Sequence, residues 1–179
     1  TDELGYEKIM FDFKTGWKWN TKANDFSYEL DLGITDAASL AISTNLVDLD
    51  TNILTIQGAP LLTYLMTTPK LKQLRLSLVD NSLRNKLLEY AAKEQNMTIT
   101  QMKDFITQSM DIYSNTIGID QGLIKEFINT TSNFINGSNK IVLAVKPLDP
   151  VSINDLTPDV MGQNYNALTN KLNFNFSNF

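Results

Sequence analysis

An α+β fold is predicted: an antiparallel, meander-like β-sheet packed against an inserted three-helix segment, followed by a short C-terminal helix and strand. Three observations carry this. Apolar and polar residues alternate in short runs through the first third of the chain and again over 71–79 and 140–146. Between about 80 and 137 the apolar spacing lengthens to that of amphipathic helices. No Pro/Gly/Ser linker interrupts the 179 residues, of which 42% are apolar and 20% charged, so a single domain over 1–179 is expected.

Phe11 and Phe13 alternate around Asp12, and Thr15-Gly16 reads as a turn before Trp17 and Trp19. Phe26, Tyr28, Leu30 and Leu32 alternate with Ser27, Glu29 and Asp31, the pattern of a half-buried antiparallel strand. Leu40 and Ile42 continue it after a turn near Gly33. Residues 59–68, with Pro60 near the start, suit a short helix. Leu74, Leu76 and Leu78 mark the strand at 71–79, which ends at Asp80.

Asp80 or Ser82 then caps a first inserted helix carrying Leu83, Leu87, Leu88 and Ala91, which stops near Asn96. Thr98 and Gln101 form a capping box for a second, with Ile99, Met102, Ile106, Met110 and Tyr113 on one face and Gly118 as its end. Asp120 caps a third, which runs through Leu123, Phe127 and Phe134 to Gly137. Ile141 and Leu143 define the strand at 140–146, whose extension Pro147 and Pro150 forbid. Thr157 and Pro158 are read as N-cap and first residue of the tail helix, with Met161, Tyr165, Leu168 and Leu172 on a face. Leu172, Phe174 and Phe176 alternate as a last strand.

Cysteine and histidine are both absent, which removes triads, Cys-His dyads, a histidine base and the common zinc, haem and iron–sulfur sites. Glycines never sit two apart, so G-x-G-x-x-G fails, and neither a P-loop, a G-x-S-x-G elbow nor S-x-x-K occurs. No cofactor is implied. Asp48, Asp50 and Asn52 open like a calcium loop, but Ile53 and Ala59 stand where glycine and glutamate are needed, and the segment reads as a polar β-turn between two strands. A carboxylate-dependent hydrolase would need two acids about 5–10 Å apart in one cleft. The chain reads as non-enzymatic, with that hydrolase as the third reading.

The net charge of −5 and the acids interleaved with the aromatics disfavour nucleic acid. The longest apolar run, Ile141–Val145, is far short of the ~20 residues of a membrane span. Charge is nonetheless uneven, with acids in excess over 1–50 and cations, Lys70, Lys72 and Arg75 among them, in excess over 70–93. Thr1 in place of an initiator methionine points to a processed chain or one cut from something longer. Lysine far outnumbers arginine and Asn is abundant, a bias that fits an AT-rich, bacterial genome.

The most suggestive constellation is aromatic. Phe11, Phe13, Trp17, Trp19, Phe26 and Tyr28 fall on successive alternating strands, either as plain core under the helices or as the wall of an open apolar groove. Met66, Met97, Met102, Met110 and Met161 would let such a groove adapt to its content. The candidate ligand-binding residues are Trp17, Trp19, Phe26 and Tyr28 as apolar walls, with Lys70, Lys72 and Arg75 near an anionic head group.

Three stretches together resemble uncharacterised envelope proteins of alphaproteobacteria: Leu32-Gly33-Ile34 leading into Ser39–Ser43; Leu74–Leu83 with Leu87-Leu88 and Ala91-Ala92; and Lys140–Pro147 through Ile153. Ser82 departs from the pattern, which has glycine there, and Lys86 falls near its arginine. The resemblance implies an exported or membrane-anchored, β-rich protein of the periplasm or cell envelope, with the cytoplasm as the alternative, and transfers no functional residue. The expected function is a binding or assembly domain holding a lipid or other apolar small molecule. The alternative is a structural module whose partner is another protein.

Overall fold

The computed structural model describes residues 4–114 and 119–179. Its frame is one six-stranded antiparallel meander in the order of the chain. The strands are β1 (Phe11–Asn20), β2 (Asp25–Ile34), β3 (Ala38–Val47), β4 (Lys70–Asp80), β5 (Lys140–Val145) and β6 (Phe174–Asn178). Helix α1 (Ala59–Thr67) joins β3 to β4, and α2 (Leu83–Glu94), α3 (Ile99–Ser114) and α4 (Gln121–Asn136) are the three-helix insertion between β4 and β5. Two helices, α5 (Ile153–Met161) and α6 (Tyr165–Leu172), lead to β6.

Register makes the sheet amphipathic. Phe13, Leu32, Leu40, Leu78 and Ile141 follow one another across five strands on one face, and Trp19, Phe26, Leu46 and Leu71 form a parallel row. Leu76, Leu143 and Phe176 continue that face to β6. Period-2 alternation, broken in β4 by the register shift opposite Asn45 and Leu46 that returns Leu71 to the apolar face, places Asp12, Lys14, Lys18, Asp31, Ser43 and Arg75 on the other face.

Helix α4 packs on β5 and β6, α3 on α4, and α2 on α3. Their shared core is Leu88, Ala92 and Met102 with Ala91, Ile106 and Ile135. Arg84 ties this layer to the sheet: its guanidinium donates to the carbonyls of Phe134 (2.6 Å) and Ser138 (2.7 Å) and pairs with Asp80 (3.6 Å). The Thr98–Gln101 capping box forms reciprocally (2.8 and 3.2 Å), and Asp120 caps α4 through the Leu123 N–H. Gly118, expected to end α3, and Thr1 lie outside the described residues.

Four local expectations are corrected. β1 runs unbroken through Thr15-Gly16; the turn lies four residues on, where the Asn20 side chain accepts from the N–H groups of Lys22 and Ala23 and Asn24 takes φ 53°. Gly33 stays inside β2 and the turn falls at Asp36, φ 62°: side-chain amides and carboxylates that bond nearby backbone tolerate the left-handed region. The polar segment 48–52 leads from a strand into a helical turn, Asp50 capping Thr51–Leu54 by accepting from the Asn52 N–H. The tail holds two helices, because Ser152 and Asp155 form a capping box upstream of Thr157. Pro158 therefore sits inside α5, and Asn164 starts α6 afresh.

Candidate functional site: an apolar groove beside an open sheet face

The helical layer covers only part of the apolar face. On β1 to β3 the side chains of that face are mostly half-buried or exposed, with Phe11 at 76%, Phe13 at 64% and Trp17 at 68%. The chain presents 11679 Å² to solvent, against about 8800 Å² expected of a folded chain of 20.2 kDa. This excess of apolar and other surface is large on the scale of specific interfaces, which bury roughly 1,600 Å² in total.

Where α3 and α4 meet the β6 side of the sheet they leave a cavity of about 500 Å³, open to solvent. Phe105, Ile106 and Met110 come from α3, Leu123, Ile124 and Phe127 from α4, and Phe176 from β6. Phe127 rests edge-on against Phe176 at 5.3 Å between centroids, and the carboxylate of Glu126 accepts from the Phe176 N–H at 3.1 Å. A second recess of about 320 Å³, under α2, runs from Leu83 and Leu87 to Ala38 and Leu78 on the sheet. Ile106 lines both, so the two recesses adjoin.

Such a site offers shape and desolvation and little polar chemistry. Ser109, Tyr113 and Ser114 are the hydroxyl-bearing residues of its lining, and the two serines already donate to carbonyls of their own helix. Among the described residues no group of three or more acids is placed to hold a metal. Glu29 and Asp31 line a separate depression of about 240 Å³ on the polar face with Arg75 and Lys140.

Of the residues singled out in the sequence, the four aromatics are brought together. Trp17 pairs with Tyr28 and Trp19 with Phe26 across β1 and β2, the latter rings T-shaped at 6.2 Å. The Trp19 indole N–H donates to the Leu49 carbonyl (3.0 Å), which fixes it, whereas the Trp17 side chain is mostly in solvent. The three cations do not join them. Arg75 pairs with Ser43 and Ala144 on the polar face. Lys72 is exposed at the register shift between Asn45 and Leu46. Lys70 is engaged by Asp48 at 2.8 Å, and that hydrogen bond, with the attraction of the same carboxylate, raises its pKa. Of the methionines only Met110 reaches the larger cavity, while Met102 is buried in the helical core.

The model of one protein family, described as "Uncharacterized protein", matches residues 31–178. The chain belongs to that family. The matched span takes in β3 to β6, all the helices and the whole lining of the cavity, and leaves Trp17, Trp19, Phe26 and Tyr28 outside. No curated protein and no solved structure matches the chain. No helix among the described residues is long and apolar enough to cross a membrane.

Proposed function

We propose that this chain is a non-enzymatic binding domain of the bacterial cell envelope that holds an apolar ligand, an acyl chain or lipid, between its sheet and its inserted helices. The observation that carries this is the cavity of about 500 Å³ walled by Phe105, Ile106, Met110, Ile124, Phe127 and Phe176. Its size lies within the range of small-molecule sites, and its lining selects for hydrocarbon. The adjoining recess at Ile106 gives a long chain somewhere to extend. The envelope assignment is supported by the resemblance over residues 30–155.

Native mass spectrometry of the purified chain, before and after organic extraction, tests the reading. An adduct of lipid mass that extraction removes is the expected result, and a bare chain mass in both spectra overturns it. The second reading, a protein-interaction module without small ligand, draws on Phe11, Phe13 and Trp17, which stand on an open strand instead of in a recess. Deleting their side chains leaves a cavity ligand bound and removes a protein partner.

A further inference from the structure

Strand β1 is an edge of the sheet, exposed along nearly its whole length. The Thr35 N–H donates to the Met10 carbonyl (3.0 Å), which fixes the phase of the β1–β2 ladder. Even-numbered residues of β1 exchange hydrogen bonds with β2, and the N–H and C=O groups of Phe11, Phe13, Thr15, Trp17 and Trp19 point outward, ready for another strand.

The occupant the geometry points to is a second copy of this chain: we infer that the protein forms a two-fold symmetric dimer by antiparallel pairing of β1 with β1, centred on Thr15. The outward groups belong to odd residues, so odd must meet odd. Centring on Thr15 sets Phe11 opposite Trp19, Phe13 opposite Trp17 and Thr15 opposite itself, each an outward-facing pair. On the polar face the same register sets Asp12 opposite Lys18 twice by symmetry, and Lys14 opposite Gly16. Nothing stands within 4 Å of the place a Cβ on Gly16 would take, so the Lys14 side chain has room to lie there.

Neighbouring registers of the same phase fail. Slipping the pair by two positions one way sets Lys14 opposite Lys14, and the other way sets Lys14 opposite Lys18, like charges face to face. Lysines on an edge strand ordinarily discourage pairing. Here they discourage the registers two positions to either side and leave the one between them, in which Asp12 answers Lys18. Phe11, Phe13 and Trp17 are the most exposed aromatics of the sheet, and the surface in excess of that expected for this mass is more than a standard interface removes. The dimer would join two apolar faces into one.

Sedimentation velocity on the full chain over a concentration series tests this. The unaltered protein should dimerise reversibly. D12K and K18D each place like charges opposite one another at both symmetric positions and should weaken association about tenfold or more. The D12K/K18D double variant restores opposite charges and should return to within about threefold of the original. T15P removes an outward N–H that the monomer does not use, a place where an edge strand tolerates proline, and should give a monomer with an unchanged circular dichroism spectrum. A chain monomeric at all accessible concentrations overturns the inference. So does a dimer indifferent to T15P or to both single inversions, or a double variant as weak as the singles.

Discussion

Ser109→Trp is the sharpest probe of the cavity. Ser109 lies on α3 at the lining, half-buried, and its hydroxyl donates only to the Phe105 carbonyl one turn back, a bond the helix does not need. An indole there projects among Met110, Leu123 and Phe127 and takes space an acyl chain would fill. If it displaces about three ligand methylenes at roughly 0.8 kcal/mol each, about 2.4 kcal/mol of binding is lost, a factor of about 60 in Kd. Titration with an anthroyloxy-labelled stearate reads this directly, with urea unfolding as the control for the fold. Affinity within threefold of the unaltered chain, at unchanged stability, would refute the cavity as the binding site.

Trp17→Ala should change stability by less than about 0.5 kcal/mol because the side chain is mostly in solvent, whereas Trp19→Ala should cost about 2 kcal/mol through its hydrogen bond to Leu49 and its contact with Phe26; urea midpoints separate the two. Arg84→Met leaves the 5%-exposed Asp80 carboxylate without its cation and should cost about 3–5 kcal/mol in the same measurement, part of it recovered in the Asp80→Asn/Arg84→Met double variant. Asp155 is held below its ordinary pKa of 3.8, chiefly by the Ser152 backbone N–H and then by its hydroxyl, so its contribution is full above that pH and is lost as pH falls through the lowered value. Ser152→Ala should cost about 1 kcal/mol at neutral pH and less in acid, read from melting curves across the acid range. Lys70 has the opposite sign: its raised pKa contributes below pH 10.5 and is lost as pH rises through the raised value, a loss that Asp48→Asn should abolish.

The sheet was legible because its signal is local: Phe26 to Leu32 and Leu74 to Leu78 alternate without a break, and alternation alone decides which face each side chain takes. The inserted helices were legible through their caps, as Thr98–Gln101 and Asp120 show. Errors came where two local signals compete. Thr15-Gly16 looks like a turn, yet the pairing of ten consecutive residues of β1 with β2 overrides it. Pro158 looks like a helix start, yet the Ser152–Asp155 box three residues each way begins the helix earlier. The cavity was not legible as such. Ile106, Met110, Leu123 and Phe127 read as ordinary core stripes, since a stripe that lines a gap and one that closes it have the same sequence. Whether two such stripes close on each other is a tertiary property. The cations misled for a related reason: Lys70 and Arg75 are near the aromatics in sequence order of strands, but parity sends Arg75 to the other face and Asp48 holds Lys70.

The two uses proposed for the apolar face are separable, and that separation is itself a prediction. Thr15 lies on one edge strand and the cavity abuts the other, five inter-strand spacings away, about 24 Å at the usual strand separation. Substitutions that far apart, with no shared partner, add without coupling. S109W should therefore leave the sedimentation behaviour unchanged, and T15P should leave the stearate titration unchanged. Should T15P instead weaken the ligand by tenfold or more, the ligand would span the sheet from the cavity to β1, and the open aromatic rows of β1 to β3 would be part of its bed. Independence places the acyl chain under α3 and α4 alone and leaves Phe13 and Trp17 to the strand that pairs with them.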